Sequence, residues 1–133
     1  MVLKEYKAGN ASTNSESWVH YMTKSLVINC SWNKNAEIRE LLEAIGKFSN
    51  YSHVKFRDIH TDFKIEKDTD AVILSGSKAR IVNSSRRNMF RETIDLVKRL
   101  KLPALGICYG MQLICWSLGC EPAPLSESVI DTF

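Results

Sequence analysis

The chain has 133 residues, 44% of them hydrophobic and 25% charged, and a formal net charge of +3. This length predicts one globular domain with a substantial core and leaves no room for a second. No apolar run approaches membrane-spanning length, and the N-terminus lacks the apolar core of a signal peptide. Basic residues are dispersed without interleaved aromatics, which favours a solvated helix face over a nucleic-acid interface.

The four cysteines are Cys30, Cys108, Cys115 and Cys120. None forms a Cys-x-x-Cys pair, and no cysteine–histidine spacing resembles a zinc site. Together with the missing signal peptide, this predicts reduced thiols in a cytoplasmic protein. The sequence indicates no metal and no organic cofactor.

Strand-like and helix-like segments alternate along the chain. Residues 1–24 are polar and predict a flexible leader, followed by a domain over 25–133. Apolar or alternating runs predict strands over 26–30, 54–59, 70–75 and 102–107. Helical spacing predicts helices from residue 36 to Phe48, over 84–100 and over 109–118, the last closed by Gly119. This order predicts an α/β fold with a mainly parallel sheet, and ligands at the carboxyl ends of its strands.

The stretch Gly106-Ile-Cys-Tyr-Gly110 has the form G-x-C-x-G between a predicted strand and a predicted helix. This pattern is typical of a nucleophile elbow with sulfur in place of the serine oxygen. Gly106 and Gly110 are expected where strand and helix approach too closely for a Cβ atom. The helix N-terminus favours a Cys108 thiolate, and the Tyr109 N–H is placed to donate to an oxyanion. Cys30, Cys115 and Cys120 are instead expected in or near the core.

The sequence GICYGMQ resembles the nucleophile motif of class I glutamine amidotransferases, the Cys-His-Glu triad type, in the form found in the GMP synthase amidotransferase domain. The resemblance covers about residues 25–125 and implies a flavodoxin-like three-layer α/β/α fold. It implies that Cys108 attacks the side-chain amide of glutamine, forms a γ-glutamyl thioester and releases ammonia to a synthase partner. It also implies that Gln112 contacts the substrate.

A second stretch, Ile73-Leu-Ser-Gly-Ser77, resembles the oxyanion loop of the same family. The resemblance implies that backbone N–H groups of a turn shaped by Gly76 face the nucleophile, with Ser77 as a donor. The common family form is Ser-Gly-Gly-Pro, whereas Ser-Gly-Ser is similar to the γ-glutamyl peptidase-like branch. The two motifs therefore leave open a γ-glutamyl peptidase-like hydrolase beside the amidotransferase.

The family places its base and orienting residue in a downstream His-x-Glu segment, and no histidine follows Gln112 in this sequence. Of the three histidines, His20 lies in the predicted leader and His53 at the start of a strand, which leaves His60 as an outside candidate. The sequence therefore resembles an apparently C-terminally truncated amidotransferase domain. Three interpretations remain: a fragment, a relative that takes its base from a partner, and a non-catalytic interaction or regulatory module. An uncovered apolar sheet edge predicts poor solubility or a homodimer.

Overall fold

The structure is a computed structural model and describes residues 4–6, 23–32, 38–79, 81 and 83–123. Five strands and four helices alternate in this part of the chain, with a single 3₁₀ turn at Phe56–Asp58. The strands are β1 (Lys4–Tyr6), β2 (Lys24–Asn29), β3 (Asn50–Lys55), β4 (Ala71–Leu74) and β5 (Ala104–Gly106). The helices are α1 (Arg39–Gly46), α2 (Ser84–Asn88), α3 (Arg91–Arg99) and α4 (Tyr109–Ser117).

The strands form one sheet in the order β1-β3-β2-β4-β5. The short strand β1 runs antiparallel to β3, whereas β3, β2, β4 and β5 run parallel to one another. Counted in chain order, these four parallel strands lie 2-1-3-4, which is the flavodoxin-like order. The predicted α/β class with a mainly parallel sheet is confirmed, and the strand order reverses between β2 and β4.

The core lies against the two central strands, β2 and β4. Leu26, Val27 and Ile28 of β2 and Val72 and Leu74 of β4 are almost completely buried. Helix α1 packs on β3, whereas α4 packs on β4, β5 and α3. Burial of these apolar side chains, worth about 1.5–3 kcal/mol each, is the main force that holds the elbow helix α4 to the sheet.

An aromatic row ties the elbow to the far side of this core. The rings of Phe56 and Phe90 stack with centroids 4.0 Å apart, and the Tyr109 ring lies tilted on Phe90 at 4.9 Å. Phe90 and Tyr109 are fully buried. Tyr109 is the first residue of α4. Its side chain is packed in the core beneath the preceding turn and thereby fixes the start of the helix.

Several predicted boundaries need correction. The second parallel strand lies at 50–55 rather than 54–59, because Phe56–Asp58 turns away as a 3₁₀ turn. The helix predicted over 84–100 is two helices, with a turn at Met89 and Phe90. Phe48, expected on the apolar helix face, follows the end of α1 and is 83% exposed.

Strand β1 falls within the segment for which composition predicts a flexible leader. The rest of that segment, 1–3 and 7–22, lies outside the described residues, so the leader stays a prediction there. No helix within the described ranges is both long and apolar enough to cross a membrane.

Candidate active site

Cys108 occupies the turn between β5 and α4, and its side chain is exposed. Its backbone has φ 51° and ψ −107°, and it is the one non-glycine residue with a positive φ among those described. The Gly110 N–H donates to the Ile107 carbonyl oxygen at 2.9 Å and closes a four-residue turn. These angles are close to those of the second residue of a type II′ turn, a position that glycine normally fills. The thiol therefore stands on a strained turn, as at a nucleophile elbow.

The two flanking glycines lie where the backbones of β4, β5 and α4 touch. A Cβ atom on Gly106 would be 2.3 Å from the Met111 nitrogen, and one on Gly110 would be 2.4 Å from the Leu74 carbonyl oxygen. Real Cβ atoms do not approach other atoms this closely. The close approach expected from the G-x-C-x-G spacing is thus present, and any side chain here would push the elbow away from the sheet.

The loop after β4 faces the elbow. A Cβ atom on Gly76 would lie 3.6 Å from the Cβ of Cys108 and 3.7 Å from the carbonyl oxygen of Ile107. A side chain at position 76 would therefore be in van der Waals contact with the cysteine side chain, and glycine leaves that space open. The Ser77 hydroxyl accepts a hydrogen bond from the Ala79 N–H at 3.2 Å, which bends the loop back on itself.

Ser75 fixes this loop to the central strand, a role that the sequence reasoning missed. Its buried hydroxyl accepts the Cys30 N–H at 2.9 Å and donates to the Gly76 carbonyl oxygen at 3.2 Å. The loop after β4 is thereby joined to the end of β2. A serine at the end of an apolar strand was the signal available in the sequence, since a buried hydroxyl needs a hydrogen-bond partner.

Tyr109 and Gln112 are placed by the first turn of α4. The Gln112 N–H donates to the Cys108 carbonyl oxygen at 3.2 Å, and the Gln112 side chain is half-buried, one turn from the thiol. The Tyr109 ring is buried, so Tyr109 can act on a ligand at the elbow through its backbone N–H and not through its phenol. The predicted residues of the elbow and the loop thus converge on one end of the sheet.

Neither His53 nor His60, the two histidines among the described residues, joins this cluster. His53 lies on β3, which β2 and β4 separate from β5, and three strand spacings amount to about 14 Å. His60 is exposed and follows the 3₁₀ turn at the end of the same strand. His20 lies outside the described residues. The role of His60 as a base stays a prediction. Its position on the β3 side of the sheet does not favour that role.

The remaining cysteines divide into two kinds. Cys30 is buried as expected, and burial raises the pKa of its thiol from 9.0 to about 12. Cys115 and Cys120 were expected in or near the core, and this was wrong because both are exposed. Apolar side chains lie on every side of helix α4, so the sequence does not show which side is buried. Tyr109, Leu113 and Ser117, at four-residue spacing, form the buried side, and the opposite side is therefore turned toward solvent.

Burial also acts on the phenol beneath the elbow. The pKa of Tyr109 is raised from 10.0 to about 12, chiefly by desolvation and further by the nearby Cys30, against a smaller opposing effect of Arg87. Its hydroxyl has no hydrogen-bond partner among the described residues. The Tyr109 phenol and the Cys30 thiol are therefore two interacting groups that burial keeps neutral, and Tyr109 directly follows Cys108.

A cleft of about 480 Å³ opens at the point where the strand order reverses. We call it the switch-point cleft. It is lined by residues that follow β2, β4 and β5, by α1 and by α2: Ser31, Trp32, Ile38, Leu41, Ser75, Gly76, Ser77, Lys78, Arg86 and Ile107. Open parallel sheets bind ligands at this place. Trp32 and Arg86 were not predicted as site residues, because only the folded chain brings them beside the elbow.

The described residues hold no group of three or more His, Cys, Asp or Glu side chains that could bind a metal ion. The chemistry available at the elbow is therefore that of an exposed thiol, the backbone N–H groups of two turns, an amide side chain and the cations of the cleft.

Comparison with known proteins gives concordant results. The family model for class-I glutamine amidotransferases matches residues 26–130. A GMP synthase from Brachyspira hyodysenteriae is 32% identical over 75 residues, which cover 56% of this chain and 14% of that protein. A putative glutamine amidotransferase-like protein from Acanthamoeba polyphaga mimivirus is 34% identical over 64 residues, 46% of this chain and 31% of that protein. This chain thus matches less than a third of the length of either relative.

A crystal structure of a glutamine amidotransferase from Thermotoga maritima superimposes with a TM-score of 0.53. The match covers 75% of this chain and 44% of that chain at 17% sequence identity. At this identity the likeness establishes the shared fold and carries no information about substrate.

Proposed function

Because the chain belongs to the class-I glutamine amidotransferase family, we propose that it uses Cys108 as a nucleophile to hydrolyse the side-chain amide of glutamine. The observation that carries the proposal is the position of the loop after β4, where a Cβ atom on Gly76 would lie 3.6 Å from the Cβ of Cys108. An oxyanion site requires backbone N–H groups close to the nucleophile, and a loop that faces the thiol with a glycine supports such a site. The strained turn at Cys108 supports the same role, since strain of this kind is found at functional sites.

The proposed reaction has two steps. The thiolate sulfur of Cys108 attacks the amide carbon of glutamine, and the carbonyl oxygen becomes an oxyanion. As the oxyanion collapses, the carbon–nitrogen bond breaks and the nitrogen takes a proton. Ammonia departs, and a γ-glutamyl thioester remains on Cys108. Water then attacks the thioester carbon, the carbon–sulfur bond breaks, and glutamate and the free thiol are released.

Tyr109 and Ser77 would donate their backbone N–H groups to the oxyanion. One donor begins α4, where the helix dipole adds to the hydrogen bond, and the other lies in the loop that Ser75 ties to β2. Loss of a single such donor typically costs about a hundredfold or more in rate. Gln112, half-buried one turn along α4, would hold the glutamine substrate.

Turnover needs a base to take the thiol proton and return it to the leaving nitrogen. Within the described ranges no histidine lies on β4, β5 or α4. Covalent reaction at Cys108 and catalytic turnover are therefore treated as two separate abilities of the chain. The elbow and its loop can bind and form a covalent adduct, whereas turnover requires a base that His60 or a group beyond the described residues would supply. The ammonia acceptor would be a synthase partner, because several relatives are glutamine-hydrolysing GMP synthases.

A γ-glutamyl peptidase-like hydrolase is the second candidate. Two observations favour it: serine at position 77 of the oxyanion loop, and a cleft that extends from the elbow as far as Trp32. A hydrolase of this kind would cleave γ-glutamyl amides larger than glutamine and would need no synthase partner. A non-catalytic module of the same fold is the third, and it predicts no covalent chemistry at Cys108.

The test is intact-mass analysis of the purified chain after exposure to a diazo ketone analogue of glutamine. The sulfur of Cys108 would displace molecular nitrogen and leave one adduct per chain. We expect the adduct in the unaltered protein and in Cys115→Ala, which removes an equally exposed thiol, and its loss in Cys108→Ala. Excess glutamine should slow adduct formation. A folded chain that forms no adduct, or forms it equally in Cys108→Ala, would overturn the proposal.

A further inference from the structure

The switch-point cleft carries positive charge, and its lining includes Ile107, the residue before Cys108. Its described lining residues include two cations, Lys78 and Arg86, and no carboxylate. Lys78 follows the oxyanion loop directly, and Arg86 lies on α2. A concave site lined by one sign of charge raises the local concentration of oppositely charged ligands.

The Trp32 ring, which lines the cleft, contacts two guanidinium groups. The guanidinium carbon of Arg86 lies 5.4 Å from the centre of the Trp32 ring, and that of Arg57 lies 5.0 Å from it. Contact with an aromatic ring holds a guanidinium in place without using its N–H donors. Arg86 is therefore oriented by Trp32 while its donor groups stay available to a ligand in the cleft.

The cleft begins at the elbow. Ile107, which precedes Cys108, and Gly76, which faces the Cys108 side chain, both line it. Its volume of about 480 Å³ lies in the range of sites that enclose small organic ligands. A substrate whose reacting amide stands at Cys108 can thus extend through the cleft to Trp32 and Arg86.

We propose that the switch-point cleft binds a carboxylate of the substrate through Arg86 and Lys78. The inference rests on the proposed function, since it takes Cys108 as the point where the substrate amide reacts. A guanidinium presents two parallel N–H groups that match the two oxygens of a carboxylate, and Lys78 adds a second charge. The carboxylate is either the α-carboxylate of glutamine or one on the amine side of a γ-glutamyl amide.

The test compares two reagents that alkylate thiols, iodoacetate and iodoacetamide, which differ in a carboxylate. Peptide mass spectrometry follows each cysteine separately, so the exposed Cys115 and Cys120 serve as references within the same molecule. We expect the iodoacetate-to-iodoacetamide rate ratio at Cys108 to exceed the ratio at the two reference thiols about tenfold. The measurement needs neither glutamine nor turnover.

Variants locate the charge that is responsible. Arg86→Gln and Lys78→Gln should each lower the ratio at Cys108, because any change in the thiolate's own reactivity affects both reagents and cancels in the ratio. Arg86→Lys should keep part of the effect, and Arg91→Gln, which removes an exposed charge on α3 outside the cleft, should keep all of it. Equal ratios at all three thiols, or an unchanged ratio in both Arg86→Gln and Lys78→Gln, would overturn the proposal.

Protection of Cys108 from iodoacetamide identifies which carboxylate the cleft takes. If glutamine protects and its α-amide does not, and Arg86→Gln abolishes the difference, the cleft binds the α-carboxylate. If γ-glutamylglycine protects better than γ-glutamyl methylamide, it binds the carboxylate of the amine side. Failure of the proposed function gives a different result, the absence of the diazo ketone adduct, and equal protection within both pairs counts against the cleft as a carboxylate site.

Discussion

Gly110 and Leu74 approach so closely that a Cβ atom on residue 110 would lie 2.4 Å from the Leu74 carbonyl oxygen and 2.7 Å from its Cβ. This contact joins the first turn of α4 to the end of β4. It sets the distance between the thiol at the start of α4 and the loop that follows β4. The geometry of the candidate site therefore depends on the absence of one side chain.

Gly110→Ala should destabilise the protein by about 3 kcal/mol or more, because neither the carbonyl nor the Leu74 side chain can retreat from a packed core. Urea denaturation measures the change. Gly119→Ala is the matched control: Gly119 has φ 93° but no atom within 4 Å of its added Cβ, so it should cost about 1 kcal/mol through backbone strain alone. Equal losses in the two variants would mean that the contact with Leu74 does not hold the elbow.

Strain at Cys108 predicts an inversion of the usual order of alanine and glycine. With φ 51° and ψ −107°, glycine fits the position better, so Cys108→Gly should be about 1 kcal/mol more stable than Cys108→Ala. At Cys115, inside α4, the order should be the normal one, with glycine about 1 kcal/mol less stable than alanine. Urea midpoints of the four variants check both statements. The same order at both sites would contradict a strained turn at Cys108.

The elbow could be predicted from the sequence because each of its requirements is local. Two glycines, a cysteine and the change from a strand pattern to a helix pattern lie within a few residues, and sterics then determine the turn. Strands β2 and β4 were predictable for a similar reason, since both are short apolar runs; β2 is buried on both faces, whereas β4 is buried on one face and half-buried on the other. The position of β3 was not, because Tyr51 and Val54 lie in a mixed polar stretch.

What the sequence could not predict depends on neighbours distant along the chain. Strand β1 is the three-residue run Lys4–Tyr6, which becomes a strand through pairing with β3. The exposure of Cys115 follows from which face of an all-apolar helix meets the sheet. The cationic cleft needs Trp32 after β2 and Arg86 on α2, more than fifty residues apart in the sequence, to meet at the reversal of strand order.

Thiol reactivity checks the division of the cysteines. A chromogenic disulfide reagent should react rapidly with three thiols of the folded chain, Cys108, Cys115 and Cys120, and with Cys30 only on unfolding. Cys30→Ala should leave the rapid count at three and remove the slow thiol. Reaction of all four in the folded chain would contradict the buried position of Cys30 at the end of β2.

Self-association should depend on the β5–α4 face, which we define by the exposed apolar side chains Leu105, Ile107, Met111 and Leu118. Leu118 is 78% exposed, and Leu118→Lys should weaken self-association about tenfold, since burial of a leucine contributes about 1.5–3 kcal/mol. Phe48→Lys is the control, because Phe48 is equally exposed but lies after α1, away from this face. Sedimentation velocity over a concentration series measures both. An effect of equal size in the two variants would contradict association through the β5–α4 face.

Stability should decline in alkaline solution because of the two groups buried beneath the elbow. The folded chain keeps the protons of Cys30 and Tyr109 up to a pKa of about 12, whereas the unfolded chain loses them near 9.0 and 10.0. The unfolded state therefore binds fewer protons in this range. The stabilisation is complete below about pH 9 and is lost as the pH rises toward 12, by at most about 1.4 kcal/mol per pH unit for Cys30.

Urea denaturation at about pH 8, 10 and 11 measures the decline, and two variants divide it between the groups. Cys30→Ala should remove the loss between about pH 9 and 10, and Tyr109→Phe the part that begins above about pH 10. Cys120→Ala, which removes an exposed thiol, should keep the full decline. If Cys30→Ala loses stability as steeply as the unaltered protein, the Cys30 thiol ionises freely in the folded chain, and burial does not keep it neutral.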